Sequence, residues 1–274
     1  MRVMQELIYR IKPFVPVPMW KVITSPYWWW FNRARHQAAT LFDRRLSRSQ
    51  QELVRFKDLH RGQRCFIIGN GPSLNQTNLK LLENEVTFGM NRIYLLFPKL
   101  GFQTSYFVSI NTLVLEQCRK DILELNMPRF ITWRARRWFD QEGIYFLDTD
   151  YTDPPSFSKE IRGRIFEGST VTFVALQIAY FMGFEQVILV GVDHSFTTQG
   201  KPNETVISEG ADPDHFSSNY FGKGFRWQLP DLQASEIGYQ LAKSAYKADG
   251  RRILDATLEG KLEVFEKVDY LSLF

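Results

Sequence analysis

The chain is short of the residues on which small secreted or metal-built domains depend. It has 2 cysteines, Cys65 and Cys118, and 4 histidines in 274 residues. So few thiols exclude a disulfide framework, and Cys65 lies inside an apolar run, so both read as free cysteines of a reducing compartment. No Cys/His cluster has zinc spacing. No run of about 18 or more uncharged apolar residues occurs, so hydropathy predicts no transmembrane helix. The N-terminus, with Glu6 and Pro13, does not read as a secretory signal. The one strand-turn-helix glycine motif matches neither G-x-G-x-x-G nor the Walker A loop. Missing that dinucleotide fingerprint argues against hydride transfer.

What the chain does have is apolar mass and unevenly placed charge. At 44% apolar and 15% aromatic, it can build one large core or two small ones. Residues 1–64 hold 13 Lys+Arg against 4 Asp+Glu, while the remainder holds 21 against 26. The basic part is therefore an N-terminal extension, residues 1–60, and the main domain, 61–274, is acidic. Met1–Lys12 reads as a short amphipathic helix, broken by Pro13, Pro16 and Pro18. Then comes Tyr27-Trp28-Trp29-Trp30-Phe31, with Arg33 and Arg35 close by. Either these rings lie at a membrane interface, giving residues 1–40 a peripheral contact, or they pack on the core or on a second copy of the chain. No nucleic-acid-binding motif accompanies them.

The stretch that organises the main domain is Arg64-Cys65-Phe66-Ile67-Ile68-Gly69-Asn70-Gly71-Pro72-Ser73-Leu74. Its apolar run lacks polar alternation, as a strand covered on both faces would. Gly69 and Gly71 permit a tight turn and close approach of a ligand to the backbone. Pro72 and Ser73 suit the first positions of a helix. Strand, glycine turn and helix N-terminus together form an anion site; the alternative is a plain βα connection. Further strands follow. Val86–Arg92 carries Asn91 at its end, and Tyr106–Asn111 ends on Asn111. In open α/β sheets, ligands bind outside those carboxyl ends, although either Asn could equally cap the element that follows. Leu113–Leu125 reads as helix and Phe130–Trp133 as strand. Residues 134–168 read as irregular, with Arg134, Arg136 and Arg137 facing either phosphates or solvent. Ser169 and Thr170 cap an apolar helix, Val171–Met182. Gln186–Val192 is a second buried strand, ending in Asp193, His194 and Ser195. Residues 197–230 form a long loop, a lid, carrying His215, Tyr220 and Lys223. Helix Leu232–Ala248 and strand Arg252–Thr257 close the domain.

The phrase from Phe66 to Leu74 resembles the opening motif of the MptE-like superfamily, whose named archaeal members are 6-hydroxymethylpterin diphosphokinases. The same G-N-G-P-S-L motif opens bacterial sialyltransferases that use CMP-sialic acid, and it occurs in motility-associated flagellin-glycosylation proteins. The resemblance extends over about residues 55–270. It implies nucleotide contacts at Asn91 and Asn111, and a leaving phosphate facing Ser169. The Gly191-Val192-Asp193 element matches too, but Ser195 stands where the sialyltransferases place a phosphate-holding Tyr. Aligning Asn219-Tyr220-Phe221-Gly222 puts Lys223, not His215, where those enzymes carry their base.

These readings predict a doubly wound α/β domain with a mostly parallel, Rossmann-like sheet. They predict a nucleotide or phosphate site at Gly69, Asn70, Gly71, Pro72, Ser73, Asn91, Asn111, Ser169, Thr170, Ser195, Tyr220 and Lys223. His215 is the expected general base, with His194 and Asp193 beside it. The expected activity is sialyltransferase-like transfer of a glycosyl group from a nucleotide-sugar donor to a cell-envelope or surface glycan at the cytoplasmic membrane face, with no tightly bound cofactor. The alternatives are diphosphate transfer from ATP to a pterin-like alcohol, with Mg²⁺ held by Asp193, and nucleotide binding without catalysis.

Overall fold

A computed structural model describes residues 43–151 and 155–274. The chain divides into two units, Met1–Ser47 and Arg48–Phe274. The expectations for the amphipathic segment, the aromatic run and a membrane contact fall on residues outside those described. Helix α1 (Arg44–Glu52) precedes the domain considered below.

Nine strands form one sheet, and every neighbouring pair in it is parallel. They are β1 (Arg64–Ile68), β2 (Thr87–Met90), β3 (Tyr106–Ser109), β4 (Arg129–Thr132), β5 (Ile144–Asp150), β6 (Arg164–Phe166), β7 (Gln186–Val190), β10 (Arg252–Asp255) and β11 (Glu266–Lys267). Their spatial order is β11-β10-β7-β1-β2-β3-β4-β5-β6. The chain lays down β1 to β6 in one direction, then returns to β1 and builds β7, β10 and β11 on its other side. The order therefore reverses between β1 and β7, where Arg64 pairs with Gln186 and Ile68 with Val190. A doubly wound sheet binds ligands at such a reversal.

Five helices accompany this sheet: α2 (Phe97–Leu100), α3 (Thr112–Gln117), α4 (Arg119–Leu123), α5 (Val171–Phe181) and α6 (Leu232–Ala248). The two longest matter most. Helix α5 is buried from Thr172 to Phe181, because apolar residues surround it on every side. One side meets the strands; another meets α6, where the Tyr246 hydroxyl donates to the Leu176 carbonyl at 2.8 Å. Cys65, Phe66, Ile67 and Ile68 of β1 are all fully buried. Truncating one of them, as in Ile67→Ala, would cost about 2–5 kcal/mol.

Three local expectations are corrected. The stretch 134–168 is not irregular; it contains β5 and β6. The acidic end of β5 is held in the sheet by Arg164, which lies 3.6 Å from Asp148 and 3.3 Å from Asp150. Leu113–Leu125 is two short helices rather than one, since Cys118 leaves helical geometry at φ −105°, ψ 19°. The lid carries a small antiparallel hairpin of β8 (Thr205–Ile207) and β9 (Arg226–Gln228).

Candidate functional site

The site forms where the loops after β1 and β7 meet. The Gly69 N–H donates to the Val190 carbonyl at 2.7 Å, and the Gly71 N–H to the Gly191 carbonyl at 2.9 Å. A Cβ on Gly69 would stand 2.1 Å from the Gly191 oxygen, so the contact requires glycine. Asp193 crosses to the first loop, where it accepts the Ser73 N–H at 3.1 Å and the Ser73 hydroxyl at 2.7 Å. Burial pushes its carboxyl above the ordinary range, against the hydrogen bonds from Ser73. Asp193 is thus a brace between the two loops. The expected helix after Gly71 is one 3₁₀ turn, Pro72–Asn75, so any helix dipole in the site comes from elsewhere.

It comes from α5 and α6. Both begin at a cleft of about 180 Å³ that the glycine turn also lines. Thr170 caps α5 by accepting the Thr172 N–H at 3.3 Å, and Asp231 caps α6 by accepting the Ala234 N–H at 3.0 Å. Two helix N-termini on one cleft favour an anion. Of the residues expected in the site, Gly69, Asn70, Gly71, Asn91, Ser169, Thr170, Asp193, His194, Ser195, His215 and Tyr220 line this cleft. Pro72, Ser73, Asn111 and Lys223 do not. Asn111 caps α3, its Oδ1 accepting the Leu113 N–H at 2.9 Å, and Lys223 is exposed on the lid. Arg134 is paired with Glu167 at 2.6 Å.

Among the described residues, the cleft lining contains no Lys or Arg. Anion binding there would rest on N–H groups and imidazole. The Asn70 Oδ1 is buried without a hydrogen-bond partner. The Asn91 Oδ1 accepts from the Ser109 hydroxyl at 2.9 Å, which leaves its amide N–H groups to donate. Asn91, Ser169 and His194 have φ values of 52°, 57° and 55°. Left-handed backbone costs such residues about 1–3 kcal/mol each and collects at functional sites. Sequence reasoning missed Tyr239, Ser235 and Asp231. Their spacing of four puts them on one face of α6, and that spacing was the available signal.

The lid closes the cleft on the remaining side. His215 is held through Nδ1 by both Asp212 oxygens, at 3.0 and 2.9 Å. Its ring stacks on Tyr220 at 4.0 Å between centroids, and Phe221 meets it edge-on at 4.9 Å. Asp212 is fixed in turn by the Phe221 N–H at 3.1 Å. Burial keeps the Tyr220 phenol well above its ordinary range, so it is a neutral packing surface whose hydroxyl accepts the Arg92 N–H at 3.3 Å. Arg92 also donates to the carbonyls of Asn219 and Tyr220. The cleft, at about 180 Å³, is small beside the roughly 300–1,000 Å³ of ordinary ligand pockets.

The family model for 6-hydroxymethylpterin diphosphokinase MptE-like proteins matches residues 42–199. The chain belongs to the MptE-like family. Membership places it in a transferase superfamily. Among solved structures, its fold is similar to that of the MAf glycosyltransferase from Magnetospirillum magneticum AMB-1, with a TM-score of 0.50 and 14% identity. That similarity covers 84% of this chain and 39% of the other, so the chain spans well under half of that protein. A search of the curated proteins found no match.

A diphosphokinase of the MptE-like family raises the question of Mg²⁺. The carboxylates lining the cleft do not make a cation-binding set. Asp193 is bonded to Ser73, Asp214 to Thr197 and Thr198, and Asp231 to the start of α6 and to Asn203. Among the described residues, no group of three or more His, Cys, Asp or Glu is placed to hold a metal. The expectation of Asp193 as a metal ligand therefore does not fit its surroundings, where both its oxygens are engaged by Ser73. No helix among the described residues is long and apolar enough to cross a membrane.

Proposed function

We propose that this MptE-like protein transfers a glycosyl group from a nucleotide-activated sugar to a hydroxyl of a glycan, in the manner of a sialyltransferase. The observation that carries this reading is the His215–Asp212 pair, which faces a cleft onto which two helices open by their N-termini. Asp212 occupies Nδ1, so Nε2 is the nitrogen left to accept a proton. In the transfer, the acceptor O–H gives its proton to His215 Nε2 and its oxygen bonds the anomeric carbon. The bond from that carbon to the nucleotide's phosphate oxygen breaks, and its electron pair leaves on the phosphate. The backbone N–H groups of Asn70, Ser169 and Val171 are the candidate donors to that phosphate, since those of Gly69, Gly71 and Thr170 are already engaged. No tightly bound cofactor enters this scheme.

The experiment is thermal-shift binding against CMP, CDP, UDP, GDP, ADP and ATP, each with and without Mg²⁺, followed by turnover of the matching nucleotide sugar. A ligand present at about 100 times its Kd should stabilise the fold by about 2.7 kcal/mol. His215→Ala should keep the nucleotide shift and lose turnover by about 10²–10⁴-fold. Full activity in that variant would remove His215 as the base.

The family description favours a second reading, diphosphate transfer from ATP to a pterin-like alcohol. It asks the cleft to receive a triphosphate without lysine, arginine or an uncommitted carboxylate. Release of AMP from ATP that depends on Mg²⁺ and an alcohol would establish it in place of glycosyl transfer.

A further inference from the structure

The cleft has to accommodate a departing phosphate, yet its lining offers no lysine or arginine among the described residues. His194 is built as a fixed substitute. It follows β7, takes left-handed backbone at φ 55°, and its side chain is only 6% exposed. Its Nε2 lies 2.9 Å from Glu236 Oε1 on α6. Its ring meets Tyr239 edge-on at 6.1 Å between centroids. Nδ1 has no hydrogen-bond partner among the described residues, and the residue lines the cleft beside Ser169 and Thr170.

We infer that His194 holds the leaving phosphate of the donor nucleotide through Nδ1, adding to the backbone N–H donors the positively charged side chain that the cleft lining otherwise lacks. This rests on the nucleotide-donor reading above. The chemistry follows from the Glu236 contact. A neutral imidazole has one N–H, and here the carboxylate takes it at Nε2. A second N–H, at Nδ1, exists only in the imidazolium. Glu236 and Tyr239 of α6 meet His194 directly, and Asp231 at the start of α6, Asp193 from its own loop, and Asp214 and His215 from the lid line the same cleft. Tyr239 is pushed up by burial and stays neutral, while Asp193 and Asp214 are turned to Ser73 and to Thr197 and Thr198.

The role is separable from that of the proposed base. His194 acts on the phosphate and His215 on the acceptor, so of the two histidines only His194 should distinguish a nucleotide from its nucleoside. The test compares affinities for CMP, UMP and AMP with those for cytidine, uridine and adenosine between about pH 6 and pH 8.5. His194→Gln should weaken nucleotide binding by roughly tenfold to a hundredfold and leave nucleoside binding unchanged. The nucleotide preference of the unmodified protein, relative to that variant, should shrink as pH rises. Equal weakening of nucleotide and nucleoside would show His194 to be structural, and an undiminished phosphate preference in His194→Gln would overturn the inference while leaving glycosyl transfer standing. If no nucleotide binds the unmodified protein, the inference and the reading beneath it both fall.

Discussion

The carboxylate of Asp193 occupies the space that a side chain on Gly71 would need. A Cβ at position 71 would lie 1.7 Å from Asp193 Oδ2 and 2.3 Å from its Cγ, but 3.0 Å from its Cβ. Gly71→Ala should therefore displace the brace and cost roughly 1–3 kcal/mol of stability. In an Asp193→Ala background the two shortest contacts are gone and, of the three, the 3.0 Å contact to Cβ remains, so the same change should cost much less. Urea unfolding of the two single variants and the double variant gives the coupling directly, and additive costs would refute the brace.

Asp212 orients His215 and touches nothing that reacts. Asp212→Asn keeps the side chain's shape but can favour the wrong imidazole tautomer. Turnover should fall by about 10²-fold or more while nucleotide affinity stays within twofold. A parallel fall in affinity would mean that the substitution loosens the lid rather than the base.

The start of the lid depends on one carboxylate. Asp214 is buried and accepts from Thr197 and Thr198 through both backbone and hydroxyl groups. Burial pushes its carboxyl up, but these hydrogen bonds outweigh that and hold it below the ordinary range. Its folded value lies below its unfolded one, so its contribution is complete above about pH 4 and is lost as pH falls through the folded value. Urea midpoints measured downward from pH 5 should drop more steeply for the unmodified protein than for Asp214→Asn.

Arg92 fastens the tip of the lid by donating to the Asn219 and Tyr220 carbonyls and by lying over the rings of Tyr220 and Phe225. Arg92→Lys keeps the charge but loses the planar fork. Amide exchange across residues 215–225 should accelerate by about tenfold or more, with little change in β1 or β7. Because the fastened segment carries Tyr220 and Phe221 into the cleft lining, the same variant should speed nucleotide entry. Unchanged exchange would place the fastening elsewhere.

The parts of the fold legible in sequence are those where burial alone decides structure. β1 and β7 are apolar runs with no alternation because α-helical layers and neighbouring strands cover them, and α5 is apolar all round for the same reason. β5 escaped because its second half, Asp148-Thr149-Asp150, looks like a loop until Arg164 arrives from β6 to neutralise it. Nothing local announces that partner. In the site, the glycine turn and the lid histidine were readable from residue chemistry, but their neighbours were not. Whether Asn111 capped a helix or faced the cleft depended on where α3 began. Asp193 could be read as a ligand because only the folded chain brings Ser73, 120 positions earlier, under its carboxylate.

The reversal of strand order also governs how the chain can assemble. β1 is synthesised early, but its second neighbour, β7, emerges more than 100 residues later. Until then the growing half-sheet from β1 to β6 exposes the β1 edge as an unpaired strand, apolar from Cys65 to Ile68, the kind of template on which chains aggregate. Pairings this distant in sequence are slow to close. The same geometry means that no fragment ending before β7 can possess the cleft, since one of its two walls has yet to be made. Acquiring the site and protecting the nascent edge are a single event, the docking of Gln186–Val190 against Arg64–Ile68.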